Sequence, residues 1–320
     1  MERKKTHRAY RIIAFSLVFI VAIILIGSAL IGYYMSVEVT SLTSQERTRK
    51  QDSVDEDPWR QEMVASGRLI EDSIPSKGYM LPINYYYSEA SNLSKDFNTV
   101  ILVHGLGSNR HELDPYVKYF MDLGFNVLTY DQRATNDHPQ SGNGYGLLES
   151  QDLEAAIQHV HNLASDRVLG LWGESFGGAT VGLGLTMPSL DDLVDFAILD
   201  SPMSEAEAMI MAEVDKMEIP LSGYFYRWAS LMTKLRMGFW LGDADVVRHI
   251  GLSDTPLLVI YSESDTVTPA WMAQDIYDAA TAPKERLVFE DASHVYGFFT
   301  YPDEYKAAVE SFLGGLGILG

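Results

Sequence analysis

The chain has 320 residues, of which 47% are hydrophobic and 21% charged, a composition that supports a large buried core and excludes a wholly disordered chain. A formal net charge of −20 argues against nucleic-acid binding, which needs clustered lysine and arginine. The absence of cysteine excludes disulfides, a thiolate nucleophile and cysteine-based zinc or iron–sulfur sites.

Residues 1–11 form a basic tail with Arg3, Lys4, Lys5, Arg8 and Arg11, and no further charge occurs before Glu38. The apolar run at 12–35 is expected to cross a bilayer as a helix, because about 20 apolar residues span the hydrocarbon core. It exceeds the roughly 7–15 apolar residues of a cleaved signal peptide, although Gly27-Ser28-Ala29 offers the small residues that cleavage requires. The excess of positive charge before the span predicts a cytoplasmic N-terminus and an extracellular catalytic domain, in a single-pass protein of the cell membrane. Secretion after signal cleavage is the alternative. The first expected partner is therefore the lipid bilayer.

Residues 36–58 are polar and of mixed charge, which predicts a tether ahead of a folded domain at 59–320. Trp59, Met63 and Val64 have helical spacing, so the end of this stretch reads equally as the domain's first exposed helix. Strand-like runs follow at 79–87, 99–103, 126–130, 168–172, 196–199, 257–261 and 286–289, most of them separated by helical stretches. Several are short, β-branched and apolar on both faces, as central strands of a parallel sheet covered by helices are; the alternating run at 79–87 looks peripheral. The main interruption, at about 202–255, is rich in Met209, Met211, Met217, Tyr224, Phe225, Tyr226, Trp228, Met232, Met237, Phe239 and Trp240. It is expected to be a helical lid, although methionine and aromatic residues at helical spacing fill cores as often as they line ligand sites.

The sequence Gly173-Glu174-Ser175-Phe176-Gly177-Gly178 lies between the run at 168–172 and a helical stretch at 179–185. A serine on such a strand-to-helix turn is exposed to substrate, and the helix behind it aims N–H groups at a developing oxyanion. The competing reading is a glycine-rich junction with an idle serine. A serine hydroxyl needs a base, and only His249 and His294 follow it. His294 stands in a loop after the last strand, where a base belongs; His249 lies in the insertion and reads as a surface or packing residue. The strand at 257–261 runs into Ser262-Glu263-Ser264-Asp265. Asp265 is the favoured partner of the histidine, with Glu263 two residues earlier and Asp200 on the preceding strand as alternatives. The oxyanion donors are expected to be the backbone N–H groups of Phe176 and of Leu106, in the loop His104-Gly105-Leu106-Gly107, with the His104 side chain holding that loop.

Through four motifs in their order along the chain, His104-Gly105-Leu106-Gly107, the elbow at 173–177, the stretch 262–269 and Ser293-His294, the chain from about residue 79 to 313 resembles the α/β-hydrolase superfamily. Tyr130-Asp131-Gln132-Arg133, followed by Gly146 and residues 149–152, resembles the bacterial serine-aminopeptidase-like and monoglyceride-lipase-like branch, whose members often carry an N-terminal apolar helix. Ala134 departs from the glycine common after that arginine. The resemblance implies an α/β-hydrolase fold, with a mostly parallel sheet, flanking helices and a lid. It also implies an acyl-enzyme mechanism on Ser175, His294 and Asp265 that needs no cofactor or metal; no His-x-x-x-His or clustered His/carboxylate spacing suggests a zinc site. The expected substrate is a small ester or acyl compound with an apolar part. A serine peptidase on the same triad and a non-catalytic ligand-binding ectodomain are the alternatives, because this fold hosts many activities.

Overall fold

The computed structural model describes residues 2–41, 57–88, 97–133, 135, 138, 140, 142–164, 167–190, 192–218 and 220–319, with backbone alone at 2–6, 8 and 9. Most of the expected tether, Ala134, and the side chains of Arg3, Lys4, Lys5 and Arg8 lie outside that description. The chain divides into two units, residues 41–209 with 243–320 and residues 1–40 with 210–242.

The larger unit is built on one sheet of eight strands: β1 (Leu69–Ser76), β2 (Tyr79–Tyr86), β3 (Thr99–Val103), β4 (Asn126–Tyr130), β5 (Leu169–Glu174), β6 (Phe196–Asp200), β7 (Leu257–Ser262) and β8 (Lys284–Phe289). Their order is β1-β2-β4-β3-β5-β6-β7-β8. Pairing is antiparallel from β1 to β2 and from β2 to β4, and parallel across the rest. Every residue of β3, β4 and β6 is buried, which is why these strands read as continuous apolar runs. Their side chains nonetheless alternate between two cores: Ile101, Val103, Leu128 and Leu199 enter one, and Val100, Leu102, Val127 and Ile198 the other.

Helices cover both faces. On the first lie α4 (Glu149–Leu163), α5 (Phe176–Gly184) and α9 (Ala270–Ala279), through Leu153, Ile157, Val181 and Ile276. On the second lie α2 (Pro58–Ala65), α3 (Asp114–Asp122) and α11 (Pro302–Gly315), through Met63, Val117, Phe120, Val309 and Phe312. The start of α2 is fixed by Asp57, whose carboxylate accepts from Trp59 N at 3.0 Å, and by Pro58 in the first turn. Two short helices, α8 (Val246–Ile250) and α10 (Gly297–Thr300), complete this unit.

Strand β1 has no counterpart among the expected strands. It is an edge strand with three consecutive exposed positions, Ile70, Glu71 and Asp72, and a proline whose missing N–H an edge tolerates. Lys77 and Gly78, with φ of 39° and 95°, close the two-residue hairpin to β2.

The smaller unit holds α1 (Glu2–Thr40), the end of α6 (Ala206–Lys216) and α7 (Ser222–Met237). The segment Tyr10–Thr40 is long and apolar enough to cross a membrane, and the helix continues through 36–40, five residues into the stretch expected as tether. Within this unit α7 packs along the C-terminal part of α1: Ser28 Oγ bonds Tyr224 Oη at 2.7 Å, and Ser36 Oγ bonds Thr233 Oγ1 at 2.8 Å. The expected lid at 202–255 is thus helical, with its central residues 210–242 grouped with the N-terminal helix.

Candidate active site

Parallel order brings the C-terminal ends of β3, β5, β6, β7 and β8 to one edge of the sheet, and the loops leaving those ends carry the expected site. Ser175 sits between β5 and α5 with φ 53° and ψ −118°, a strained conformation for a non-glycine residue. Its neighbours hold it there: Ser175 N donates to Asp200 O at 2.8 Å, and Ser175 O accepts from Met203 N at 3.2 Å. The close approach needs glycine, since a Cβ at Gly177 would lie 2.1 Å from Val103 O.

His294 Nε2 lies 2.8 Å from Ser175 Oγ, and His294 Nδ1 lies 2.7 Å from Asp265 Oδ2. The structure thereby brings together all three residues expected from the sequence. Asp265 is buried, and its other oxygen accepts from Val267 N at 2.8 Å and Thr268 N at 3.0 Å. Burial works against its charge, but the bonds from His294 and these two N–H groups outweigh it and hold the carboxyl below its usual range. Thr268 Oγ1 lies 3.1 Å from both Asp265 Oδ2 and His294 Nδ1, a contact that the sequence reading missed.

The alternatives take other places. Glu263 is exposed. Asp200 accepts from Tyr305 Oη at 2.9 Å and from Ser201 Oγ at 3.2 Å, and Tyr305 Oη accepts in turn from Trp172 Nε1 at 2.9 Å. Burial raises Asp200 to about 6, with Tyr305 and Ser201 opposing. His249 closes α8, its Nδ1 2.6 Å from Asp245 O.

The loop after β3 carries the expected second oxyanion donor. His104 is buried; its Nε2 accepts from Gln132 N at 2.9 Å, so Nδ1 carries the proton and donates to Gly105 O at 2.7 Å. Burial lowers its pKa, consistent with a neutral ring. Gln132 also accepts from Thr180 Oγ1 of α5 at 2.6 Å and donates to His104 O, so it links the loop to the helix behind Ser175. Phe176 is the first residue of α5, and its N–H has no acceptor within the helix.

Glu174, the variable residue of the elbow, accepts from Gly105 N at 3.1 Å. Burial raises it to about 7; the Gly105 N–H works the other way, and the negative charge of Asp200 adds to the rise. The sequence reading assigned no role to this position. A carboxylate inside an otherwise apolar elbow was the available signal.

The second motif group serves the framework. Arg133 Nε pairs with Asp152 Oδ2 at 2.8 Å, and Arg133 Nη2 donates to Tyr79 Oη at 2.9 Å. Asp152 also accepts from Ser76 Oγ at 2.6 Å, while buried Glu149 accepts from Gly144 N and Gly146 N, both at 2.9 Å. These bonds pin the first hairpin and the loop before α4. Among the described residues no cluster of three or more His, Cys, Asp and Glu has the arrangement to hold a metal ion.

Comparison with known proteins is consistent with this architecture. Residues 94–251 match the family model described as serine aminopeptidase, S33. Protein YqkD of Bacillus subtilis, uncharacterized, is 29% identical over 68% of this chain and 72% of its own length. Lysophosphatidylserine lipase ABHD12 of Danio rerio is 26% identical over 58% of this chain and 48% of that protein. The structure of the Pyrococcus furiosus esterase Pf2001 superposes with a TM-score of 0.58 at 23% identity, over 77% of this chain and 90% of the esterase. With an elbow serine between a parallel strand and a helix, and a family model matched across it, the chain has the α/β-hydrolase fold.

Proposed function

We propose that the protein is a membrane-anchored serine hydrolase that cleaves carboxylic esters through an acyl-enzyme on Ser175. The observation that carries this reading is the unbroken chain Ser175 Oγ to His294 Nε2 at 2.8 Å and His294 Nδ1 to Asp265 Oδ2 at 2.7 Å. Both distances suit proton transfer through a correctly held imidazole.

In the proposed reaction the Ser175 oxygen bonds to the substrate carbonyl carbon while its proton passes to His294 Nε2. Asp265, ionised and buried, accepts from Nδ1 and stabilises the resulting imidazolium. The N–H groups of Phe176 and Leu106 receive the oxyanion. Collapse of the tetrahedral intermediate breaks the bond to the leaving alkoxide, which takes the proton from His294. A water molecule then attacks the acyl carbon, gives one proton to His294, and releases the acid as that proton returns to Ser175.

An apolar substrate part suits the Met- and aromatic-rich insertion, and the similarity to a lysophosphatidylserine lipase supports an amphiphilic ester. The helix at 10–40 supports membrane anchoring, and the basic residues before it favour an extracellular domain. The second reading, a peptidase on the same residues, is favoured by the family model's description. Labelling with a fluorophosphonate is expected to mark the wild type and not Ser175→Ala; a folded wild-type protein that stays unlabelled would refute catalysis. Faster cleavage of aminoacyl-anilides than of p-nitrophenyl esters would replace the esterase by the peptidase.

A further inference from the structure

The N-terminal helix is exposed in one part and covered in another. From Ile12 to Ile26 its large apolar side chains all face outward, from 47% exposed at Leu25 to 75% at Phe15. Beyond them a stripe at every fourth position is buried, comprising Ser28, Gly32, Ser36 and Thr40, and α7 lies on it. The two helices run parallel there, because Ser28 meets Tyr224 and, two turns on, Ser36 meets Thr233. Between these pairs a Cβ at Gly32 would lie 2.6 Å from Trp228 Cβ, so the backbones are close. Arg236 Nη1 adds bonds to Ser36 Oγ at 2.7 Å and Thr40 Oγ1 at 3.3 Å.

The bare part from Ile12 to Ile26 rises only about 22 Å at about 1.5 Å per residue, short of the hydrocarbon thickness of about 30 Å. The span therefore has to include the next turn of α1, the turn that carries Tyr224 of α7. Since the helices are parallel, the chain preceding α7 points further into the bilayer. It presents Leu221 at 73%, Met217 at 68% and Tyr224 at 40% exposure. Asp215, Lys216 and Glu218 beside them are exposed charges that suit headgroup depth.

We infer that the α6–α7 connection is a second membrane contact, in which Met217, Leu221 and Tyr224 enter the outer leaflet's interfacial layer beside α1. Counted from Ile12, about 20 residues fill the hydrocarbon and end at Ile31. Ser28 therefore lies about 4–5 Å inside that end, which matches the usual depth of an interfacial apolar face, about 5–10 Å. The other end of α7, with Lys234, Leu235 and Arg236, stands clear of the lipid. This inference rests on α1 crossing the membrane.

The chain's lack of cysteine makes site-specific labelling clean. Full-length Ile20→Cys, Leu221→Cys and Leu235→Cys are each labelled with the NBD fluorophore and reconstituted in phosphatidylcholine vesicles with or without doxyl-labelled phosphatidylcholine. Ile20 and Leu221 labels are expected to lose most of their emission to the doxyl lipid, and the Leu235 label to keep it. Quenching at Ile20 without quenching at Leu221 would overturn the second contact and leave the anchor standing. Absence of quenching at Ile20 would overturn the anchor and this inference with it. Equal quenching at Leu221 and Leu235 would overturn the parallel, upright placement of α7.

Discussion

Replacing Asp265 by Asn turns one carboxylate oxygen into an NH2 group, and the surrounding hydrogen bonds decide which one. Oδ1 accepts from two backbone donors, Val267 N and Thr268 N, so the amide oxygen is held there and the NH2 faces His294. An NH2 donor at Nδ1 forces the imidazole to carry its proton on Nε2, where it can no longer accept from Ser175. Flipping the amide would restore the tautomer but strand two N–H groups, at about 1–3 kcal/mol each. The expected loss in kcat is about 10,000-fold, as for triad aspartates held in the wrong tautomer. Asp265→Ala removes the charge but imposes no donor, and Thr268 Oγ1, 3.1 Å from His294 Nδ1, remains to accept the correct proton. The alanine variant is therefore expected to retain about tenfold more activity than the asparagine variant, about 1.4 kcal/mol in barrier, and adding Thr268→Val is expected to abolish that advantage. Steady-state hydrolysis of p-nitrophenyl acetate, run below each variant's melting temperature, measures the ranking. An asparagine variant as active as the alanine variant would refute the tautomer argument.

The buried carboxylates give two further expectations. Glu174 is raised in the fold to about 7, above its ordinary 4.5, so its protonated form is the one the fold favours, and the associated stability is lost as pH rises through the folded value. Glu174→Gln stays neutral and keeps an acceptor for Gly105 N; its melting temperature relative to wild type is expected to climb between pH 5 and pH 8, and a flat difference would contradict the assignment. Tyr305→Phe deletes the donor to Asp200 and the acceptor for Trp172 Nε1, leaving buried groups unpaired. Thermal or denaturant unfolding is expected to show a loss of about 1–3 kcal/mol, and an unchanged stability would show that water replaces the hydroxyl.

The elbow was legible because its determinants are local: an apolar strand, glycines on both sides of the serine and a helix immediately after. His294 was legible by elimination, since only one other histidine follows Ser175. Asp265 over Glu263 was a closer decision, because two carboxylates near one strand end differ only in which way the turn sends them. The turn closed by Asp265 N on Ser262 O at 3.3 Å buries one and leaves the other in solvent. Strand β1 was hidden because only Leu69, Ile74 and Ser76 of its eight residues are buried, and its exposed acids and proline erase the pattern. The pairing of α1 with α7 was written in the sequence as small residues at 28, 32, 36 and 40, but such spacing names no partner. Gly27-Ser28-Ala29 was weighed only as a cleavage site. Glu174 and Gln132 went unread as loop supports because their bonds cross between strands distant in sequence.

Those long-range bonds also explain how a serine can sit at φ 53° without relaxing. The residue is clamped through its N–H to β6 and through its carbonyl to the segment after β6, while Gly177 behind it touches the end of β3. Three neighbouring elements would have to move together to release it, so the strain is stored cheaply in a framework that is stable for other reasons. Strand β5, which leads into the serine, and the end of β3 also carry the supporting bond of the expected oxyanion loop, Gly105 N just past β3 donating to Glu174 of β5. Serine conformation and loop position are therefore set by one set of contacts, and a change that loosens β3 against β5 is expected to disturb both at once.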